Sequence, residues 1–290
     1  MLAAGSCEVR LRRGAPRPVR RQLISSDARQ LRTHDHVAWC GEGARTLADL
    51  AAAAFSGAAE RGESMLLVTD DAADLQRSGW AGLPALINSG ALTISTVADA
   101  YGALREPATQ RAAFAAQLDT ALADGYSGMC VVADNSALAR GSEEEFAAWL
   151  AWEAIADEMQ AHLPITGVCY FDGGQVPRDR LEQVAVLHPV LCREMGAPRF
   201  SLFVDGDAVR VLGVLDTFGT DQLRRILMSA PRLSELPLDV SAANFIDHRA
   251  LLTLEQVARA GRPIRLRAAS AVVHKLWALL GIAQPALQFC

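Results

Sequence analysis

His34, His36 and Cys40 are spaced two and four residues apart around the first apolar pattern of the chain, His36–Gly41. On a strand that spacing puts all three on one face, because side chains alternate with a period of two. Two imidazoles and a thiol are donors for a borderline metal such as zinc. They also suit the polar edge of a small-ligand pocket, with Trp39, Met129, Cys169 and Tyr170 as soft and aromatic walls. Ordinary core packing is the third account, since unpaired cysteine is among the most buried residue types. His188 and Cys192, four apart, share a face if a helix continues through them. The spacing alone leaves packing, pocket and metal open.

Several other chemistries are excluded. Lys275 is the only lysine, so no lysine earlier in the chain can serve a phosphate loop or a Schiff base. Where G-x-x-x-x-G-K-[ST] would stand, the sequence reads Cys40-Gly41-Glu42-Gly43-Ala44-Arg45-Thr46, with a glutamate that repels phosphate. Gly125-Tyr126-Ser127-Gly128-Met129 lacks the last glycine of a nucleophile elbow. The run Glu143-Glu144-Glu145 opens a helix, where carboxylates simply complement the dipole. No cofactor is expected, and the chain reads as non-enzymatic. The enzymatic alternative places His36, Asp134 or His188 as acid or base at the strand ends.

The elements that must position these residues alternate regularly from residue 34. Strands are expected at His36–Gly41, Ser64–Thr69, Leu92–Val97, Met129–Ala133 and Ile165–Phe171. Helices are expected at Thr46–Arg61, from about Asp71, at Gln110–Asp124, from Ser142 to about His162, and at Pro177–Leu187. Ser142 with Glu145 forms a capping box. This alternation implies an α/β fold with a doubly wound, mostly parallel sheet. Near Met195–Pro198 the pattern changes to a hairpin, Phe200–Val204 and Ala208–Leu215, joined through Asp205-Gly206-Asp207. Helices near Asp221–Ser229, His248–Ala260 and Ala271–Leu280 then alternate with strands Pro237–Val240 and Pro263–Arg267. The expected organisation is a basic, disordered tail at 1–33, a sensor domain at 34–197 and a smaller α/β domain at 198–290.

Charge supports that division. Residues 1–33 carry +6, residues 34–198 carry −14 and residues 199–290 carry +3. The acidic body argues against a nucleic-acid groove, which needs a clustered basic surface. The opposed charges suit docking of the two folded parts on one another, and a homodimer is compatible with them. No apolar run reaches the ~18 residues of a membrane span, and the Arg-rich start has no apolar core of a secretory signal. Six scattered cysteines without a CxxC pair fit a reducing cytoplasm.

Residues 34–195 resemble the MEDS domain, a sensory module of methanogen proteins and of the dichloromethane-responsive repressor of methylotrophs. The resemblance rests on His34-Asp35-His36-Val37 with Trp39-Cys40, Gly62-Glu63, Gly125-Tyr126 before Met129–Asp134, Glu153, Val168-Cys169-Tyr170 with Asp172, and His188-Pro189. It implies a RecA/KaiC-like core without nucleotide machinery that binds small molecules, often hydrocarbon derivatives. The ligand residues it suggests are His34, His36, Trp39, Cys40, Cys169, Tyr170, Asp172 and His188.

Residues 200–290 resemble STAS domains, the fold of bacterial anti-sigma-factor antagonists. The carriers are Val214-Leu215-Asp216, Leu238-Asp239-Val240-Ser241, Asn244-Phe245-Ile246-Asp247, Ile264-Arg265-Leu266, and Val272-Val273 with Leu276. The resemblance implies a partner, an anti-sigma factor of the serine-kinase type, docking on Asp216, Asn244, Asp247, His248 and Arg249. One departure matters. Where the family usually has Asp-Ser-Ser-Gly, with the first serine phosphorylated, this chain reads Asp247-His248-Arg249-Ala250. The phospho-switch is therefore missing from that turn.

The combined expectation is a cytoplasmic regulator whose sensor domain controls the STAS surface; a constitutive STAS module on a scaffold is the alternative. One test needs only the missing lysine and Glu42. Calorimetry with ATP and Mg²⁺ should show no binding at millimolar nucleotide; saturable micromolar binding with phosphate release would refute it.

Overall fold

The computed structural model describes residues 20–71, 80–102, 104, 106–267, 269–283 and 285–290. Most of the basic N-terminal stretch, residues 1–19, and the helix expected beyond Asp71 lie outside the described residues.

The first sheet contains β1 (Leu23–Ser25), β2 (His36–Gly41), β3 (Ser64–Val68), β4 (Leu92–Ser95), β5 (Met129–Asp134), β6 (Ile165–Asp172) and β7 (Val190–Cys192). Their order is β1-β7-β2-β6-β5-β3-β4, and every pairing is parallel. Strands covered on both faces need apolar side chains in both directions, which is why Met129–Ala133 reads as an unbroken apolar run. Helices α1 (Gly43–Arg61) and α2 (Leu83–Asn88) cover one face through Leu47, Leu50, Phe55 and Leu83. The other face carries α3 (Val97–Tyr101), α4 (Pro107–Ala123), α5 (Ser136–Arg140), α6 (Glu143–His162) and α7 (Arg178–Leu187). The Ser142–Glu145 capping box opens α6, and Gly62 ends α1 in the left-handed conformation at φ 71°. The sheet is thus doubly wound.

Two expectations are corrected. The disordered tail does not extend to residue 33: Leu23 and Ile24 pair with Val190 and Leu191, so β1 is an edge strand of the sheet. The strand was hidden because its isolated sequence is short and follows an Arg-rich stretch. Nor does a helix carry His188 and Cys192 together. Helix α7 stops at Leu187, and Pro189 disfavours helical geometry at the residue before it. Val190–Cys192 is β7.

The second sheet is mixed. The hairpin of β8 (Phe200–Asp205) and β9 (Ala208–Leu215) turns through Gly206 at φ 66°. Strands β10 (Leu238–Asp239) and β11 (Ala243–Ile246) run parallel to β9 at successive positions, and β12 (Ile264–Arg267) and β13 (Leu287–Phe289) follow. Helices α8 (Thr220–Ser229), α9 (Arg232–Glu235), α10 (His248–Arg259) and α11 (Ala271–Leu280) complete this half.

No gap separates the two halves. Phe200, Leu202 and Val204 of β8 belong to the same buried cluster as Trp149 and Leu150 of α6 and Leu187 of α7. Polar contacts surround this seam. His162 Nε2 lies 2.9 Å from the Gly206 carbonyl, and Gln222 donates to the Glu182 carbonyl at 2.8 Å. Arg232 holds both carboxylate oxygens of Glu158, at 2.7 and 2.6 Å. The sequence boundary at 195–198 marks a change of sheet, with one apolar core running across it.

The Glu158–Arg232 pair makes that seam sensitive to acid. Burial pushes the Glu158 carboxyl up, but Arg232 and then Arg111 outweigh it and hold the group below the usual glutamate range. A depressed folded-state value means that the stabilisation is complete above the unfolded-state pKa of about 4.3 and disappears as pH falls through the lower folded value. Glu158→Gln should therefore destabilise the full chain by about 1–2 kcal/mol in urea unfolding at neutral pH, and by less near about pH 3. An equal loss at both values would remove the ion pair as the cause.

Candidate functional site

Strand β6 fixes the site by its alternation. Ile165, Cys169 and Phe171 face the α6 side, while Val168 and Tyr170 face the α1 side. Strand β2 lies alongside with His36 opposite Gly167 and Ala38 opposite Cys169. The absence of a side chain at Gly167 leaves room for the α6 residue Gln160, whose side-chain atoms lie within 2.7 Å of where a Cβ would stand. Helix α6 can then bring Glu153 and Asp157 down onto this face of the sheet.

His36, Glu153, Cys169 and His188 meet there, with one ligating atom from each within 4.8 Å of all the others. Nε2 of His36 and Nε2 of His188 each lie 3.2 Å from the same carboxylate oxygen, Oε2 of Glu153. The Cys169 thiol is 3.6 Å from that oxygen and 3.8 Å from His36 Nε2. The two imidazoles stand 4.0 Å apart between ring centres. All four side chains are buried.

The outward nitrogens are held in turn. His36 Nδ1 meets Asp157 Oδ1 at 3.1 Å, and His188 Nδ1 meets the Val184 carbonyl at 2.8 Å. Asp157 also accepts from Arg20 Nη1 at 2.5 Å and from the Val204 backbone N–H at 2.5 Å. Asp157 therefore joins the cluster to the first strand of the second sheet and to a buried arginine from the N-terminal segment.

Electrostatics follow from this arrangement. Burial alone lowers the His36 pKa, but Asp157 and Glu153 outweigh it and raise the value. His188 goes the other way: burial and then the neighbouring His36 charge lower it despite Glu153. Burial pushes Glu153 up, yet His188 and His36 hold it down at about 2. Asp157 is likewise pushed up by burial, but Arg20 and then His36 lower it on balance. Burial, then Glu153, raises the Cys169 thiol well above its ordinary value. Both carboxylates are thus ionised in an interior where charge must be matched.

Beside the cluster lies a cavity of about 40 Å³, lined by His36, Tyr101, Phe114, Trp152, Glu153 and Cys169 among others. A single water needs ~10–15 Å³ of such space, so the cavity admits a molecule of only a few heavy atoms. Its walls are largely apolar.

The other residues suggested for the pocket lie elsewhere. His34 precedes β2 at φ 79°, with Nδ1 2.8 Å from the Gln160 carbonyl, so it does not share the strand face of His36. Cys40 is four residues further along β2; its backbone N–H donates to Cys192 Sγ at 3.0 Å. Burial pushes the Cys40 thiol up to about 11. The set His34, His36 and Cys40 is therefore corrected: only His36 reaches the cluster. Trp39 and Tyr170 point into the α1 layer, on the opposite side of the sheet from Cys169. Tyr170 donates to the Gly43 carbonyl at 3.1 Å. Asp172 ties the ends of the neighbouring turns, accepting from the Gly43 and Gly174 amides and the Gln175 side chain. Asp134 accepts from the Ser136 amide and hydroxyl, outside the cavity lining. Glu153, Asp157 and Arg20 were not anticipated in the site. Their sequence signal is two acids at positions 153 and 157 continuing the apolar stripe of Phe146, Trp149 and Leu150.

A profile for the MEDS family, described as the MEthanogen/methylotroph, DcmR Sensory domain, matches residues 35–189, more than half of the chain. The chain belongs to the MEDS family. No curated protein matches it. The MEDS span contains His36, Glu153, Cys169 and His188, together with every residue named above as lining the cavity. Arg20 and β1 lie before this span, and β1 adds an edge strand to the sheet from outside it.

In the second half, Asp247 caps α10 by accepting from the Ala250 N–H at 2.8 Å and also accepts from the Thr217 hydroxyl at 3.1 Å. Asn244, Asp247 and His248 line a groove of about 480 Å³ between this turn and α11. Arg249 is exposed beside it, and Asp216 accepts from the Phe218 and Gly219 amides. Phe218, Phe245 and Val272 are exposed nearby, at 77%, 53% and 64%, which gives this end of the fold an apolar face.

The Asp157 network makes a sharp stability prediction. Removing one partner of a buried pair leaves the other charge uncompensated, and here also frees the Val204 amide. Asp157→Ala should cost about 3–5 kcal/mol in denaturant unfolding. A loss under about 1 kcal/mol would place Arg20 and Asp157 in water instead of the interior.

Proposed function

We propose that this MEDS-family chain is a non-enzymatic bacterial regulator. A small, largely apolar molecule binds in the cavity beside His36 and Cys169, and its presence alters a C-terminal surface of the STAS type. That surface docks on an anti-sigma factor of the serine-kinase type around Asp216, Asn244, Asp247, His248 and Arg249, without phosphorylation of the turn. Family membership supplies the sensory role. The observation that carries the coupling is Asp157, whose one carboxylate contacts His36 in the cavity wall and the Val204 amide of β8. A ligand that displaces His36 bears directly on the strand that begins the second sheet.

The reading also accounts for what stands at the docking turn. With Asp247-His248-Arg249-Ala250 there, no serine at this turn is available to release the partner by charge, so any control of binding arrives from elsewhere in the molecule.

Its test is a binding measurement on the full chain. Partner affinity is measured with and without a panel of one- to three-carbon halogenated and oxygenated compounds. A ligand should change it about 5–150-fold, the range of a typical coupling free energy. Ala156→Met, which fills the cavity, should abolish the shift while leaving partner binding intact. Asp247→Ala should weaken partner binding in both states. Affinity indifferent to every compound and to Ala156→Met would replace the sensor model with a constitutive binding module.

A further inference from the structure

Four of the six distances among the ligating atoms lie close to the edges of a tetrahedral metal site, and all six are within 4.8 Å. With metal–nitrogen and metal–oxygen bonds of about 2.0–2.1 Å and a metal–sulfur bond of about 2.3 Å, the edges of a zinc site are about 3.3 Å for N–O pairs and about 3.6 Å for pairs with sulfur. Here the two N–O edges are both 3.2 Å, the S–O edge 3.6 Å and one S–N edge 3.8 Å.

The orientation of the rings carries the same message. His188 Nδ1 faces the Val184 carbonyl, which only accepts, so the proton of a neutral ring sits on Nδ1 and the Nε2 lone pair points inward. That buried Nε2 lies 3.2 Å from Glu153 Oε2 without the alignment of a hydrogen bond and has no hydrogen-bond partner among the described residues. Two acceptors are thus aimed at one point instead of at each other. Outside this ring of donors stand a carboxylate for His36 and a backbone carbonyl for His188, the supports that fix metal-bound imidazoles.

We infer that His36, Glu153, Cys169 and His188 form a binding site for one divalent cation of borderline softness, zinc foremost. Two imidazoles, a carboxylate and a thiolate suit such an ion and not magnesium or calcium, which take oxygen ligands. The charges balance. A divalent cation with the Glu153 carboxylate and a Cys169 thiolate sums to zero, the thiol proton leaving to solvent as the ion enters. Three of the ligands also line the cavity, so the ion stands in its wall. The inference does not depend on what the cavity binds or on the second half of the chain. The competing state is a proton in place of the metal, held on His36 between Glu153 and Asp157.

The experiment uses the full chain freed of metal by a chelator. Zinc is titrated in competition with a chromophoric indicator, and cobalt(II) is then substituted as a spectroscopic probe. One equivalent of zinc should bind at submicromolar free concentration. Cobalt should give a thiolate-to-metal charge-transfer band with intense four-coordinate visible bands. Cys169→Ser should lose the charge-transfer band, whereas Cys130→Ser, a buried cysteine on the other face of the sheet, should keep it. Glu153→Gln should weaken zinc by at least about 100-fold, since even outer supports of a metal site are worth 10–100-fold. If the Cys169 variant does not fold, X-ray absorption on zinc-loaded wild type decides, with one sulfur and two imidazoles required. Absence of zinc binding at micromolar free metal, or a cobalt spectrum without a thiolate band, overturns the site and leaves the proton as its occupant.

Discussion

Glu153 and Asp157 stand one helical turn apart on a face of the 143–162 helix that water does not reach. An ionised carboxylate in such a place has to find positive charge or hydrogen-bond donors within the protein. The requirement reaches far along the chain. It draws His36 from the start of a strand, His188 from the end of a helix, Arg20 from ahead of the family span and Val204 from the second sheet. Each of these groups is positioned by a different element. Two side chains thereby tie the helix, both sheets and the N-terminal segment to one another.

The same constraint explains how much could be read beforehand. The five strands between residues 36 and 172 and the long helices α1, α4, α6 and α7 follow from apolar periodicity, as do the capped start at Ser142 and the hairpin around Gly206. The short helices α2, α3 and α5 carry too few turns to be read, and α3 begins at Val97 where the strand was expected to end. The site was legible only in fragments. His36, Cys169 and His188 stand out by residue type, but pairing them requires knowing which strands are neighbours and that the chain turns at His188-Pro189. Tyr170 was grouped with Cys169 although adjacent strand residues face opposite ways, a point the sequence itself contains. Glu153 entered only through the family resemblance and Asp157 not at all, although both continue the apolar stripe of their helix. Arg20 left no such signal, because a single arginine in a basic stretch gives no hint of burial.

The second half illustrates a different limit. Its elements were legible, yet β11 and β13 were not, since four- and three-residue strands carry too little periodicity to separate from loops. Nor could charge alone describe how the halves meet. The acidic and basic surfaces do pair, through Glu158 and Arg232, but most of the seam is the apolar packing of β8 against α6 and α7. A contact of that kind transmits displacement as a packed solid does, because neither side can move far without opening space. That property favours communication between a buried cavity and a surface turn over independent motion of two tethered bodies.

Strand β8 lies at the margin of the second sheet. Among the described residues it pairs within its sheet with β9 alone, so one of its sides is an edge. At Val204 that edge is closed by an ion pair: Asp157 accepts the amide hydrogen while Arg20 donates to the carbonyl at 3.1 Å. Both main-chain groups that a foreign strand would capture are occupied by side chains of the first half. The pair thereby does for one residue what an adjoining strand does for many, and guards the sheet against templated association with another chain. Protection of this edge of the C-terminal half thus comes from residues that precede it by more than forty positions.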